Sequence, residues 1–170
     1  MVIGIVGEGA MGAGIAQVAA MAGNEVRLFD TSSEAKNNAL LKITESINKF
    51  VAKGQVSPEE GVAITGRIYL CEKLETFADC DVVIEAIIED LGVKKTLFIN
   101  LESVVTAHCI LATNTSSLSV TSIASSLNRP ERCIGVHFFN PPVLMKLVEV
   151  VPAIQTNSDN TKQVKKMIES

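Results

Sequence analysis

Apolar and polar positions along this chain alternate between short uncharged runs and longer stretches with helical periodicity. The first run, Val2–Val6, carries no charge, which is typical of a strand buried on both faces of a parallel sheet. Later runs predict six more strands, at residues 26–29, 68–71, 81–86, 110–113, 132–139 and 145–151. Between most of these runs, apolar residues recur at helical spacing. The alternation predicts an α/β fold with a doubly wound, mostly parallel sheet and right-handed crossovers.

The first predicted strand leads directly into a glycine-rich turn with the sequence Gly7-Glu8-Gly9-Ala10-Met11-Gly12. Gly7 permits a tight turn, Gly9 lets a pyrophosphate approach the backbone, and Gly12 allows the following helix to pack closely on the strand. The N-terminus of that helix offers N–H groups and a partial positive charge to phosphates. Asp30, after the second strand, suits the ribose hydroxyls and disfavours a 2′-phosphate, so NAD is favoured over NADP. The pattern predicts a Rossmann-type dinucleotide site, and the alternative is a glycine-rich turn without a ligand.

The segment between the second and third predicted strands is longer than an ordinary crossover. A long helix is predicted from Ser32 or Ser33 to about Ala52, and a second helix ends by Gly66. We therefore predict a helical hairpin over about residues 33–66 that protrudes beside the nucleotide site. A polar stripe on the first helix is formed by Lys42, Ser46, Lys49 and Lys53. This stripe is either a solvated face or the wall of a groove that meets an anionic ligand.

Composition narrows the class of protein. The chain has 170 residues, which predicts one compact domain, and its net charge of −4 argues against a nucleic-acid-binding protein. Four cysteines occur without a CxxC pair: Cys71, Cys80, Cys109 and Cys133. With no secretory signal ahead of them, reduced thiols in a cytoplasmic protein are predicted rather than disulfides or a zinc site. No apolar run approaches the length of about 18 residues that a transmembrane helix needs, so no membrane association is predicted.

Charged residues follow the fourth predicted strand, where the sheet should meet its ligand. Glu85 ends this strand, and Glu89 and Lys94 follow it. Ligands of open α/β sheets bind beyond the carboxyl ends of the strands. The three residues are therefore candidates for facing a cofactor, and the alternative for each is a charge on a helix surface.

Glu149 interrupts the apolar run of the last predicted strand. An unpaired carboxylate buried there would cost several kcal/mol, so it needs a partner. His137 ends the preceding strand, and the break at Pro141-Pro142 could bring the two side by side. A His–Glu pair is a general-base arrangement, because the carboxylate orients the imidazole and stabilises the imidazolium that forms. Ser116, on the loop after another strand, could hydrogen-bond an alcohol oxygen; a histidine satisfied within the core is the alternative.

Four blocks of sequence resemble a known family: residues 7–12, 14–17, 114–118, and 137–141 followed by 145–150. Together they look like L-3-hydroxyacyl-CoA dehydrogenases, and most like the bacterial 3-hydroxybutyryl-CoA dehydrogenases, over essentially the whole chain. The resemblance implies that residues 1–170 form an NAD-binding domain. It also implies oxidation of L-3-hydroxyacyl-CoA to 3-ketoacyl-CoA by hydride transfer to NAD, in fatty-acid β-oxidation or short-chain 3-hydroxybutyryl-CoA metabolism.

The same resemblance implies roles for individual residues. His137 matches the catalytic base, Glu149 the acid that orients it, and Ser116 a serine that contacts both substrate and nicotinamide. Matches to cofactor contacts are Gly7, Gly9, Ala10, Met11, Gly12, Asp30, Glu89, Lys94 and Ser116. Matches to substrate contacts are Ser46 and Lys53, which meet coenzyme A in the family, with Ser116 and Asn140. No metal site is implied.

Two departures from the family pattern matter for function. Glu8 stands where a small residue is usual, and an acid near the pyrophosphate is unfavourable unless it points to solvent, so we expect reduced affinity for NAD. Family members also continue into a helical domain that closes the active site and forms a homodimer, and this domain is absent from the 170 residues. The chain is therefore expected to be a weakly active enzyme domain or an isolated NAD-binding module. Another hydroxyacid dehydrogenase that shares the nucleotide fold is a third alternative.

Overall fold

A computed structural model describes residues 1–169; of residues 33–37 it describes the helical backbone only, so the predicted Ser33 cap lies outside the described side chains. Within these residues, seven strands form one sheet. The strands are β1 (Val2–Val6), β2 (Glu25–Phe29), β3 (Ile68–Cys71), β4 (Val82–Glu85), β5 (Ile110–Thr113), β6 (Cys133–Phe138) and β7 (Val148–Pro152). The helices are α1 (Ala10–Met21), α2 (Ser33–Ala52), α3 (Pro58–Gly66), α4 (Leu91–Val104), α5 (Val120–Ala124) and α6 (Ser158–Glu169). Short 3-10 turns occur at Leu74–Phe77 and Pro130–Arg132.

The strand order in the sheet is β3-β2-β1-β4-β5-β6-β7. The first six strands run parallel, and β7 runs antiparallel to β6. Because β1 pairs with β2 on one side and with β4 on the other, the chain leaves the centre of the sheet in opposite directions. This reversal point, beyond the carboxyl ends of the strands, is where open α/β sheets bind ligands. The predicted doubly wound, mostly parallel Rossmann-type sheet is confirmed.

The strand predicted at residues 145–151 has different limits in the structure. It begins only at Val148, because residues 145–147 lie in coil after the turn that follows β6. Met145 and Leu147 are exposed in this coil, at 43% and 57%. An apolar run alone therefore did not distinguish a strand from an exposed coil that leads into one.

Helices cover both faces of the sheet, and each face has its own apolar cluster. Buried members contributed by the helices on the first face are Ile15, Ile43, Ile47, Ile64 and Val164. Buried members contributed by the helices on the second face are Phe98, Leu101, Ile123 and Ala124. The two helices of the predicted hairpin pack closely on each other, since a Cβ at Gly61 would lie 2.9 Å from Cγ2 of Val51.

The cysteines are small core residues rather than reactive or bridging groups. All four are buried and free, as predicted for reduced thiols. Burial raises the pKa of Cys80, Cys109 and Cys133 to about 12, so each is a neutral thiol at physiological pH. Among the side chains that the structure describes, no group of histidine, cysteine and acidic residues is arranged to hold a metal ion. In the same part of the chain, every helix is too short or too polar to span a bilayer.

Candidate active site

The turn between β1 and α1 has the backbone geometry that its glycines predicted. Gly7 has a φ of +103°, which favours glycine, and a Cβ there would lie 2.5 Å from the carbonyl oxygen of Ala86. A Cβ at Gly12 would lie 1.7 Å from the carbonyl oxygen of Gly7, so α1 approaches the turn more closely than any side chain permits. Nothing lies within 4 Å of the corresponding position at Gly9. The backbone is therefore open to a ligand at the position predicted to meet a pyrophosphate.

The N-terminus of α1 opens into a cleft of about 1100 Å³. Ala10 and Met11 begin the helix, the cap residue is Gly9, which has no side chain to bond the first N–H groups, and the first turn contains no acidic residue. The N–H groups of this turn and the helix dipole can therefore receive a phosphate. The walls of the cleft come from the glycine turn, the end of β2 and one side of α4. These residues fit a dinucleotide bound at the point where the sheet reverses its strand order.

Asp30 lies directly after β2 and lines this cleft. One of its carboxylate oxygens accepts a hydrogen bond from the N–H of Glu8 and the other from the N–H of Ser32, each at 3.0 Å. These bonds hold a carboxylate beside the glycine turn, where ribose hydroxyls could donate to it. Glu8 also lines the cleft, and it is only 6% exposed. Because Glu8 does not point to solvent, the reduced affinity for NAD stays a prediction.

His137 and Glu149 lie opposite each other across the antiparallel strands β6 and β7. His137 Nδ1 is 2.9 Å from Glu149 Oε2, and the ring of Phe139 lies beside the imidazole with the centroids 4.8 Å apart. The structure thus brings together the two residues that the proline break was expected to join. One premise was wrong, because the Glu149 side chain is 53% exposed on an edge strand rather than buried. With Nδ1 engaged by the carboxylate, Nε2 is the ring nitrogen that remains for a substrate proton.

The loop between β5 and α5 carries Ser116, whose position is exposed. This loop is tied to the strand of His137, because Oδ1 of Asn114 accepts a hydrogen bond from the N–H of Phe138 at 2.8 Å. Sequence reasoning gave Asn114 no role of its own. The sequence signal that could have identified Asn114 is its position directly after a buried strand and two residues before Ser116. The carboxyl ends of β5 and β6 therefore form one connected part of the site.

Glu89 holds the same loop from its other side. One of its carboxylate oxygens accepts hydrogen bonds from the hydroxyl of Thr115 and from the N–H groups of Ser116 and Ser117, the last two at 3.1 and 3.2 Å. Burial raises the pKa of Glu89, but the bonds from Thr115 and Ser117 and the charge of Lys94 outweigh it and hold the pKa at about 2. Glu89 is therefore ionised at neutral pH and serves as an acceptor for the loop.

Lys94 and Glu85 do not face the cleft in this structure. They form a buried ion pair, with the Lys94 side chain 1% exposed and the Glu85 side chain fully buried. The second oxygen of Glu85 accepts a hydrogen bond from the hydroxyl of Thr113 at 2.7 Å. Lys94 Nζ also lies 3.3 Å from Oε2 of Glu89. The two charges neutralise each other in this structure, and a contact of Lys94 with the cofactor stays a prediction.

Besides Ser116, the residues predicted to contact substrate lie on two different segments. Lys53 is exposed and Ser46 half-buried on or just after α2, and Asn140 is exposed in the turn after β6. This turn packs on α1, since a Cβ at Gly14 would lie 2.8 Å from Cδ of Pro142. The close approach places the Asn140 turn against α1, on the side of the sheet edge that carries His137.

Comparison with known proteins agrees with this geometry. The family described as 3-hydroxyacyl-CoA dehydrogenase, NAD binding domain, matches residues 2–170. A probable 3-hydroxybutyryl-CoA dehydrogenase of Bacillus subtilis is 40% identical over 97% of this chain and 58% of its own length. Its counterpart in Deinococcus radiodurans is 43% identical over 96% of this chain and 58% of its own length. The crystal structure of 3-hydroxybutyryl-CoA dehydrogenase from Escherichia coli K12 has a TM-score of 0.98 at 40% identity, covering 99% of this chain and 36% of that one.

The match extends over nearly every residue, while the chain spans a little over half the length of the two curated relatives. The glycine turn, the cleft and the paired His137 and Glu149 all lie within the matched region. On this evidence the chain belongs to the 3-hydroxyacyl-CoA dehydrogenase family, as its NAD-binding domain.

Proposed function

We propose that the protein oxidises L-3-hydroxyacyl-CoA to 3-ketoacyl-CoA. The observation that carries this proposal is the 2.9 Å contact between His137 and Glu149, at the edge of a sheet whose glycine turn fits a dinucleotide. The names of the relatives, 3-hydroxybutyryl-CoA dehydrogenases, support the same class of substrate. NAD, when bound, supplies the hydride acceptor. The residues of the chain would bind the substrate and remove the proton of its hydroxyl group.

His137 is proposed as the base that removes the proton of the 3-hydroxyl group. If Nδ1 donates its proton to Glu149, Nε2 presents a lone pair to the substrate. The ring gains a proton as the hydroxyl carbon is oxidised, and the Glu149 carboxylate stabilises the positive charge that forms. Ser116 is proposed to hydrogen-bond the same substrate oxygen, and Asn140 to contact the substrate from the turn after β6.

The cofactor is proposed to lie across the glycine turn. Its phosphates would meet the N-terminus of α1, over the open position at Gly9, and Asp30 would accept hydrogen bonds from the adenosine ribose. A 2′-phosphate would bring further negative charge to Asp30, which favours NAD over NADP. We also propose that Glu89 lies near the nicotinamide end, where it holds the loop of Ser116.

A second candidate function is an NAD-binding module without turnover of its own. The matched family region is named for NAD binding, and every contact of the glycine turn would serve such a module equally well. The two candidates differ in what they require of His137, which a binding module does not need.

Two measurements on the same preparation separate these candidates. The first is titration with NADH, and the second is NADH formation from NAD and 3-hydroxybutyryl-CoA. We expect both binding and turnover, and His137→Gln should abolish turnover while NADH still binds. Binding without turnover would favour the module, and the absence of both would overturn both candidates.

A further inference from the structure

The carboxyl end of β6 extends past the end of the strand beside it. In the described part of the chain, the parallel pairing of β5 with β6 ends where Thr113 pairs with Gly135. β6 itself continues through residues 136–138 and ends at Phe138. On its other side this end of β6 pairs with β7, which has no further neighbour among the described strands. An edge strand of this kind cannot tie the end of β6 to the central strands of the sheet.

The side chain of Asn114 supplies a contact that β5 no longer provides. Its Oδ1 accepts a hydrogen bond from the N–H of Phe138 at 2.8 Å. Phe138 is 6% exposed and belongs to the apolar cluster on the first face of the sheet, so little water is available to replace Oδ1 as the acceptor. A buried N–H group without an acceptor destabilises the conformation that contains it. The position of the Phe138 backbone therefore depends on the Asn114 amide.

Asn114 is itself fixed to the centre of the sheet. It directly follows Thr113, the last residue of β5. Its N–H donates to the carbonyl oxygen of Glu85, the last residue of β4, at 2.8 Å. The residue is half-buried, and its short side chain loses little rotamer freedom when it is held in one place. Asn114 therefore links the carboxyl ends of β4, β5 and β6 from a backbone that the sheet already holds.

This link bears on His137, the residue before Phe138. Nδ1 of the imidazole is 2.9 Å from Glu149 Oε2, a contact that orients the ring relative to β7. It does not fix the ring relative to the glycine turn, which joins β1 and α1 near the centre of the sheet. Misplacing a reacting group by about 1 Å can lower a rate by a factor on the order of 10². The distance from Nε2 to a substrate bound against the cofactor therefore requires a connection from β6 to the central strands, and Asn114 makes one.

We propose that Asn114 is a positioning residue for His137. Its amide oxygen holds the backbone of Phe138, and that backbone keeps Nε2 of His137 at a fixed distance from the central strands, where the cofactor is expected. The part that concerns catalysis rests on the function proposed above, because it requires His137 to be the base. The hydrogen bond from Phe138 exists without ligands, so it can be measured separately.

Three variants test the proposal. Asn114→Ala removes the acceptor, and Asn114→Asp keeps an acceptor oxygen at the same reach from the backbone. Asn160→Ala is the matched control, because Nδ2 of Asn160 donates to the carbonyl oxygen of Glu131 at 2.9 Å, in the turn before β6. The control therefore loses a bond between a side chain and the backbone at the opposite end of the same strand.

Amide hydrogen exchange of the cofactor-free protein, resolved by residue, measures the contact with Phe138. Exchange at Phe138 should accelerate roughly fivefold to tenfold in Asn114→Ala, as expected for the loss of one hydrogen bond. It should stay near the parent rate in Asn114→Asp and in Asn160→Ala. The amides of β1 and β4 should keep their rates in all three variants. An unchanged rate at Phe138 in Asn114→Ala, or acceleration spread over the whole sheet, would overturn the proposal.

Kinetics then test whether the held backbone serves catalysis. In Asn114→Ala, kcat for 3-hydroxybutyryl-CoA should fall by a factor on the order of 10 to 10², while KM for NAD and the affinity for NADH change little. Asn114→Asp should recover most of kcat, and Asn160→Ala should retain it. An unchanged kcat in Asn114→Ala would overturn the positioning role, as would an equal loss of kcat in Asn160→Ala. A large loss of NADH affinity in Asn114→Ala would assign the residue to the cofactor instead.

Failure of the proposed function gives a different result. If the parent protein binds NADH but forms none from NAD and 3-hydroxybutyryl-CoA, His137 is not a base, and the catalytic part of the proposal fails with it. Exchange at Phe138 then still decides whether Asn114 holds the end of β6. If the parent protein is active, a contrary result in the Asn114 variants overturns this inference alone.

Discussion

Two pairs of oppositely charged or titratable side chains lie near the carboxyl ends of the parallel strands. They differ in how far water can reach them. Glu85 and Lys94 pair between a central strand and α4, with side chains that are 0% and 1% exposed. Glu149 and His137 pair across the edge strand β7, with side chains that are 53% and 20% exposed. Both contacts are short, but only the second can be approached by a substrate. The position of each strand in the sheet decides this difference.

The two pairs differ in whether a substrate could exchange a proton with them. A buried pair must keep both of its charges, because a lone ion in the core costs several kcal/mol. Such a pair cannot release or accept protons as part of a reaction cycle. An accessible pair contributes little to stability but can exchange a proton with substrate. Of the two cations, His137 is therefore the one that a substrate could reach, whereas Lys94 is enclosed with its counter-charge.

The largest effect is expected from breaking the buried pair on one side only. Lys94→Met leaves Glu85 charged in the core, so the free energy of unfolding should fall by about 3–5 kcal/mol. Urea denaturation measures this loss. Adding Glu85→Gln should recover much of it, because no buried charge is then left without a counter-charge.

A surface pair provides the control for that prediction. Lys162 and Asp159 also form an ion pair, but their side chains are 76% and 80% exposed. Lys162→Met should therefore change the free energy of unfolding by less than about 1 kcal/mol. Equal losses in the free energy of unfolding for Lys94→Met and Lys162→Met would contradict the prediction that the buried pair matters more for stability.

For the accessible pair of His137 and Glu149, a substitution should change the reaction rate strongly and the free energy of unfolding little. Glu149→Gln removes the charge that orients and stabilises the protonated His137, so the rate of 3-hydroxybutyryl-CoA oxidation should fall by a factor on the order of 10². Its free energy of unfolding should change by less than about 1 kcal/mol. Initial rates of NADH formation and urea denaturation provide the two numbers. A variant that loses stability but keeps its rate would assign Glu149 to structure.

An exposed lysine sharpens the contrast with Lys94. Lys53→Glu should leave stability and NADH binding nearly unchanged, since its side chain is in solvent. If Lys53 contacts a phosphate of coenzyme A, the same change should weaken coenzyme A binding by about 1 kcal/mol or more. Calorimetric titration with coenzyme A measures this effect, and Lys42→Glu, on an exposed position of α2, serves as the comparison. Loss of NADH binding as well would point to a disturbed helical hairpin.

The smallest effect is expected from Glu89, whose side chain is 37% exposed. Its pKa is lowered from 4.5 to about 2 in the folded protein, so its contribution to stability is present above pH 4.5 and is lost as pH falls toward about 2. Solvent screening keeps this contribution below about 1 kcal/mol. In acid titrations followed by circular dichroism, Glu89→Gln should depend less on pH in that window than the parent protein. A steeper dependence in Glu89→Gln would contradict the sign of the shift.

Much of the fold could be predicted from local pattern. The uncharged run Val2–Val6, the glycine turn and Asp30 lie close together in sequence, and each constrains the backbone of its own segment. Gly12 shows why this worked, because its closest contact is with Gly7 in the same βα unit; the contact of Gly7 with Ala86, by contrast, requires β4 to lie beside β1. Local signals of this kind do not depend on the order of distant strands.

The candidate site was predictable only in its residue types. The pairing of His137 with Glu149 was inferred from a false premise, since Glu149 lies on an edge strand and is half exposed. Lys94 was expected to face the cofactor, and the sequence did not show that its side chain is buried against Glu85. In each case the sequence shows that a charge needs a partner, but a run of apolar neighbours does not reveal whether water is among the possible partners.

The sequence by itself determined the alternation of strands and helices, the dinucleotide turn and the residues able to carry out base chemistry. Tertiary structure alone decided which charges became buried and which stayed accessible. The physical reason is that burial depends on strand order and on the helices packed above each strand. In the part of the chain that the structure describes, β4 lies between β1 and β5, whereas β7 pairs with β6 alone. The same kind of carboxylate therefore makes a buried contact with Lys94 at Glu85 and a solvent-accessible contact with His137 at Glu149.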